Sequence, residues 1–165
     1  MLVSTEAGIV CIQEHRLQPS QLHEPASLVC ISSSAMTQRV AAGPIVGLGN
    51  GGLAIFFRRS AFTNIKRIYL DSNRVLAASF SFHGQPVNIV NIYIPWNSSK
   101  CAEAFAEYLQ CITNMCSVPN NNIPCFIAGD YNIDFRRNDI AGSIVMDQLA
   151  DVGLCFADTS LSLTW

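Results

Sequence analysis

Three polar clusters in this chain each close an apolar run, and each carries groups that can hold a cation or move a proton. Gln13-Glu14-His15 follows Ile9-Val10-Cys11-Ile12, and Gly129-Asp130-Tyr131-Asn132 follows Cys125-Phe126-Ile127-Ala128. Asn91-Ile92-Tyr93-Ile94-Pro95 ends the run that begins at Val87. A strand that stays apolar through a core and then presents an acid delivers that acid to a sheet edge, where α/β folds build their sites. Asn91 and Tyr93 are two residues apart and therefore share a strand face. Taken singly, each cluster also has an ordinary explanation. Glu14 reads as a solvated strand end or helix cap, and Tyr93 as a half-buried aromatic with its hydroxyl at the surface. Asp130 and Asn132 read as a tight turn bonded to its own backbone.

The elements that must carry these clusters alternate along the chain. Ile9–Gln13 is expected to be a strand buried on both faces, and Leu53-Ala54-Ile55-Phe56-Phe57 repeats that pattern after a Gly51-Gly52 entry. Residues 75–82 alternate, with Leu76, Ala78, Phe80 and Phe82 on one face and Ser79 and Ser81 on the other. His83-Gly84-Gln85-Pro86 reads as a turn, with 87–94 as the returning strand of a hairpin. Cys125-Phe126-Ile127-Ala128 is expected to be a further buried strand. Helical spacing of Cys101, Phe105, Tyr108, Leu109, Ile112 and Met115 marks one helix after the caps Ser98-Ser99. Ile140, Ile144, Val145, Leu149 and Val152 mark a second, opened by Asn138 or Asp139 and closed by Gly153. Residues 32–52, rich in Ser and Gly, read as irregular loops. The expected fold is a layered α/β sandwich, two packed mixed β-sheets flanked by helices, in one domain over 1–165.

Composition narrows the classes. The chain has 165 residues, 50% hydrophobic and only 13% charged, which excludes a disordered or low-complexity protein. The apolar runs are too short for a membrane-spanning helix, and Glu6 with no basic start argues against a signal peptide. A net charge of −2 excludes a uniformly basic surface, although Arg58-Arg59, Lys66-Arg67 and Arg136-Arg137 cluster six of the ten basic residues. The first two pairs read as solvated strand ends. Seven cysteines with no C-x-x-C spacing read as free buried thiols of a reducing compartment, nucleus or cytoplasm. His15, His23 and His83 read as surface or turn histidines, and Asp134 as a solvent-exposed acid.

Taken together, the motifs have a second meaning. Ile9-Val10-Cys11-Ile12-Gln13-Glu14 looks like a D-I-V-x-x-Q-E strand, Gly51-Gly52-Leu53-Ala54-Ile55 like a G-G-V-A-I element, and Asn91–Pro95 like N-x-Y-x-P. Gly129–Asn132 looks like G-D-[FY]-N, and Leu163-Thr164-Trp165 like a T-W strand that follows the second helix. In that order they resemble the endonuclease/exonuclease/phosphatase superfamily, which includes apurinic/apyrimidinic endonucleases and the endonuclease domains of non-LTR retrotransposons. The resemblance implies that Glu14 ligates Mg²⁺, with Mn²⁺ as a substitute, and that the metal stabilises the leaving oxygen of a phosphodiester. It implies that Asp130 orients or deprotonates the attacking water, while Asn132 fixes Asp130 or meets the phosphate and Tyr93 donates to a phosphate oxygen. Arg136, or Arg137 beside it, is a candidate phosphate contact from its position close behind Asn132. Trp96 stands where many relatives have asparagine; Asn97 comes one residue later.

The same resemblance places an asparagine-bearing first strand ahead of the Glu14 segment, and a catalytic aspartate and Ser-Asp-His after the T-W strand. None of these falls within 1–165, so the expectation is a partial domain, incomplete at both termini, with impaired turnover. The Gly-Gly-Leu-Ala-Ile and Gln-Glu-His-Arg-Leu segments point to a DNA-nicking retrotransposon endonuclease, followed in its parent protein by a reverse transcriptase. A lipid or small-molecule phosphoesterase of the same fold is one alternative. An inactive remnant serving as an interaction module is another.

Overall fold

The computed structural model describes residues 7–17, 22–33, 51–70, 72, 74–94, 108, 110, 113, 123–133, 140–151 and 153–155. Seven strands and one helix are defined there: β1 (Ile9–Gln13), β2 (Leu28–Ser32), β3 (Leu53–Arg58), β4 (Thr63–Ile68), β5 (Val75–Phe82), β6 (Gln85–Tyr93), β7 (Cys125–Asp130) and α1 (Ile140–Asp151). The strands form two sheets, ordered β1-β3-β2 and β4-β5-β6-β7. The first sheet is wholly antiparallel, whereas the second is antiparallel through β6 and parallel between β6 and β7. Two packed sheets are thus present as expected, one antiparallel and one mixed among the described residues.

Burial follows position in the sheet. β3 is central, and its Leu-Ala-Ile-Phe-Phe run is buried on both faces. Leu53, Ile55 and Phe57 pack against Leu76, Ala78, Phe80, Val87 and Ile89 of the other sheet. This layer is the core between the sheets. The opposite face of the second sheet presents Val75, Ala77, Val90 and Ile92 to Val145 and Leu149 of α1 and to Tyr108. β1 and β7 depart from the expectation of fully buried strands. Both are edge strands among the described residues; β1 is half-buried throughout and Phe126 of β7 is 61% exposed. An apolar run therefore marks them as strands without making them interior.

β4 carries Lys66 and Arg67 mid-strand on an exposed edge, where charge discourages pairing with another chain. They are not strand ends; Arg67 Nη1 donates to the Ser32 carbonyl at 2.9 Å. Arg58 does end β3, and Arg59 pairs with Glu24. The β5–β6 loop is tighter than expected. His83 (φ 48°) and Gly84 (φ 78°) form a two-residue type I′ turn, and Phe82 pairs with Gln85. Gln85 and Pro86 thus belong to β6.

Gly153 (φ 74°) closes α1 in the expected place: its N–H donates to Ala150 O, and Leu154 N–H to Leu149 O, both at 2.9 Å. Tyr108, Gln110 and Thr113 are helical, in keeping with the helix expected there. The remainder of that helix, the caps at 98–99 and 138–139, most of the 32–52 loop and residues 163–165 lie outside the described residues. Cys11 and Cys30 are half-buried, and burial pushes both thiols up to about 11. Cys155 is an exposed free thiol, contrary to the expectation that the thiols are buried. Among the described residues no helix is long and apolar enough to cross a membrane.

Candidate active site

β6 alternates its side chains between two environments. Val90 and Ile92 face the helix layer, while Val87, Ile89 and Tyr93 face the other sheet. Asn91 lies on that second face, fully buried, a polar residue in an apolar layer. An unpaired buried amide would cost about 1–3 kcal/mol, so its partners matter. Its Nδ2 donates to the carbonyls of Ile12 (3.0 Å) and Ala54 (3.1 Å), and its Oδ1 accepts from Gln13 Nε2 at 2.6 Å. One side chain of β6 thereby ties down the ends of β1 and β3 in the opposite sheet. Glu14 is the next residue along.

After Gln13 the chain turns sharply. Glu14 (φ 51°) and Arg16 (φ 55°) both adopt left-handed conformations, which non-glycine residues hold only under constraint. The constraint comes from His15. Its Nδ1 accepts from Leu17 N–H at 3.0 Å, which leaves the ring proton on Nε2, donated to Ser33 O at 3.1 Å. Its backbone N–H reaches Gly52 O at 3.3 Å, and Arg16 N–H reaches Gly51 O at 3.0 Å. A Cβ on Gly52 (φ 90°) would lie 2.5 Å from the His15 ring, so this ring needs a glycine beneath it. His15 is thus a half-buried lock on the Glu14 turn and not a surface histidine.

The second carboxylate arrives on β7. Parallel pairing sets Tyr93 opposite Asp130, and Ile94 N–H donates to Asp130 O at 2.8 Å. At Gly129 (φ 150°) β7 runs close against β6: a Cβ there would sit 2.0 Å from Ile92 O. Asp130 Oδ1 accepts from Asn132 N–H at 3.0 Å, and Asn132 Nδ2 donates to Ile94 O at 2.6 Å. The Gly-Asp-x-Asn segment is therefore both a tight turn and a mount that leaves Asp130 exposed. Tyr131, the variable position, turns away into the helix-side core, where burial pushes its phenol up to about 12.

Tyr93 joins the two halves. Its phenol lies near enough to the Glu14 and Asp130 carboxylates for both to act on it. Partial burial first, then the nearby Glu14 carboxylate and the Asp130 charge, push Tyr93 up to about 12, with Arg74 opposing. The phenol accordingly keeps its proton through the neutral and mildly alkaline range. The Tyr93 carbonyl accepts from Tyr108 OH at 3.1 Å, which braces the strand from the helix side. The structure thus brings Glu14, Tyr93, Asp130 and Asn132 to one end of the sandwich. Arg136, together with Arg137, Asp134, Trp96 and Asn97, lies outside the described residues.

Among the described residues no group of three or more His, Cys, Asp or Glu side chains is close enough to hold a metal. The donor set is two exposed carboxylates beside a phenol. That set fits Mg²⁺, which typically takes one or two carboxylates and completes its shell with water and phosphate oxygens. It does not fit zinc, which needs a nitrogen- or sulfur-rich cage. Sequence reasoning missed the Asn91–Gln13 tie, the His15–Gly52 lock and Arg74. Asn91 had a signal, an amide in phase with Val87 and Ile89. The other two depend on pairing between segments far apart in the chain.

Known proteins share this arrangement of sheets. The endonuclease domain of TRAS1, a telomere-specific non-LTR retrotransposon, superposes with a TM-score of 0.59 and 17% identity, covering 90% of this chain and 59% of its own. An AP endonuclease from Archaeoglobus fulgidus gives 0.55 and 14%, covering 88% and 60%. TDP2 of D. rerio, complexed with a single-strand DNA product, gives 0.53 and 18%, covering 91% and 53%. The chain therefore spans little more than half the length of each of these proteins. At such identities the likeness shows the fold. No curated protein matches the chain. The profile of the Endonuclease/Exonuclease/phosphatase family matches residues 1–148, and with the two-sheet fold in place the chain belongs to that family.

Proposed function

We propose that this chain carries part of the site of a metal-dependent phosphodiester hydrolase that nicks DNA, as in the endonuclease of a non-LTR retrotransposon. The observation that carries this reading is the register that sets Asp130 beside Tyr93, with Glu14, from the other sheet, near enough to act on the same phenol. Likeness to the TRAS1 endonuclease domain and to DNA-bound TDP2 supports DNA as the substrate.

Glu14 would hold Mg²⁺, or Mn²⁺ in its place. When bound, the ion supplies neutralisation of phosphate charge and stabilisation of the departing oxygen. Asp130, exposed and held by Asn132 N–H, accepts a hydrogen bond from a water and takes its proton as the water oxygen attacks phosphorus. The P–O bond on the far side breaks, leaving a phosphate monoester on one strand end and, on the other, an alkoxide that takes a proton from solvent water to become a hydroxyl. Tyr93, protonated below about pH 12, donates to a non-bridging oxygen as charge builds there. Asn132 holds the Asp130 turn, and Arg136 is assigned to a flanking phosphate. In the parent protein a reverse transcriptase would follow, and the work on DNA would be done within the cell, in nucleus or cytoplasm.

The experiment is nicking of supercoiled plasmid. Relaxed circles are expected to accumulate slowly with Mg²⁺ and not at all with EDTA, while a soluble phosphomonoester is left intact. Intact plasmid with a hydrolysed phosphomonoester would favour a small-molecule phosphoesterase. No hydrolysis of either would favour an interaction module.

A further inference from the structure

Arg74 stands immediately before β5, and its carbonyl accepts from Tyr93 N–H at 3.0 Å. The register continues from Val75 opposite Ile92, so Arg74 is the cross-strand neighbour of Tyr93 on one side, as Asp130 is on the other. Residues directly opposite in a sheet project from the same face. Arg74, Tyr93 and Asp130 therefore form one row, with about 4.8 Å between strands. That row faces the opposite sheet, from which Glu14 reaches the middle member. Arg74 is half-buried, and among the described residues its guanidinium is in no ion pair. Its backbone is fixed by a bond from its N–H to Ser72 Oγ at 3.2 Å.

The charges at this end of the sandwich leave a role for it. Glu14, Asp130 and one phosphodiester bring three negative charges together, and a single divalent cation neutralises two. A planar guanidinium beside the phenol supplies the third, in the form best matched to two phosphate oxygens. We propose that Arg74 is a phosphate-binding residue of this site, holding a non-bridging oxygen of the substrate on the side of Tyr93 away from Asp130. The proposal rests on the phosphodiester reading above and names the group that recognises the substrate's charge.

The test compares two oligonucleotides of one sequence, one with phosphodiester and one with neutral methylphosphonate linkages. Binding is followed by fluorescence anisotropy with Ca²⁺ present. Arg74→Gln is expected to weaken phosphodiester binding about tenfold, the size of a lost charge-assisted hydrogen bond, and to leave methylphosphonate binding unchanged. Arg74→Lys should recover part of the loss. Equal losses on both oligonucleotides, or no loss on either, would overturn the proposal. So would a wild-type chain that binds the two alike. Arg74→Met, which keeps the aliphatic stem, guards against misfolding and should behave as Arg74→Gln does. Plasmid nicking is scored separately. A chain that binds phosphate through Arg74 yet never nicks overturns the hydrolase reading alone, and one that nicks with Arg74 indifferent overturns this proposal alone.

Discussion

Alanine in place of Asp130 is expected to lower Mg²⁺-dependent plasmid nicking by about 10³-fold, the middle of the range for losing a positioned general base. The fold should survive. Asp130 is exposed, and the substitution removes one acceptor, for Asn132 N–H, at a cost of roughly 1 kcal/mol or less. Glu14→Gln makes the complementary change, keeping size and hydrogen bonding while halving the carboxylate charge at Tyr93. It should reduce nicking at low Mg²⁺ most severely. Nicking by Asp130→Ala at the wild-type rate would remove the catalytic assignment, since a carboxylate that only caps a turn leaves rate untouched.

The largest stability effect is expected at Gly129. An alanine Cβ would lie 2.0 Å from Ile92 O and 2.8 Å from Ile92 C and N, all backbone atoms that cannot swing aside. The φ of 150° is strained for any L side chain as well. β7 would have to leave β6 at the step that sets Asp130 beside Tyr93, so fold and site fail together. Urea denaturation of Gly129→Ala should show a loss of about 3 kcal/mol or more. Gly84→Ala is the control: its φ is also positive, at 78°, yet nothing lies within 4 Å, and a loss near 1 kcal/mol is expected. If the two variants melt alike, the close approach of β7 to β6 is not as described.

The residues that announced themselves in the sequence did so through burial and motif spacing. The Leu53–Phe57 run is apolar because β3 is central in its sheet, and alternation over 75–82 follows from a strand packed between layers. Gly153 is legible because a helix ending there needs a left-handed residue. β4 was illegible for the opposite reason: Thr-Asn-Ile-Lys-Arg-Ile buries little on either face, so it carries no apolar period. β1 and β7 look interior in sequence, but which strands lie at an edge is decided by pairing, which is non-local. The same holds for the site. The motifs named Glu14, Tyr93 and Asp130 as separate points. That they face each other depends on Asn91 reaching Ile12 and Ala54 across the sheets, and on Tyr93 falling in register with Asp130. His15 was unreadable because its partner, the missing Cβ of Gly52, belongs to another strand's entrance.

The proposed chemistry requires one divalent ion, held by Glu14, close to Tyr93 and to Asp130, which handles the attacking water. Mn²⁺ titration read by paramagnetic broadening of backbone amide signals measures that directly. The amides of Glu14, Tyr93 and Asp130 are expected to broaden together at substoichiometric Mn²⁺, with excess Mg²⁺ reversing the effect and Glu14→Gln abolishing it. Broadening at only one of the two carboxylates, or at neither, would contradict a single site that joins the metal-holding Glu14 to Asp130.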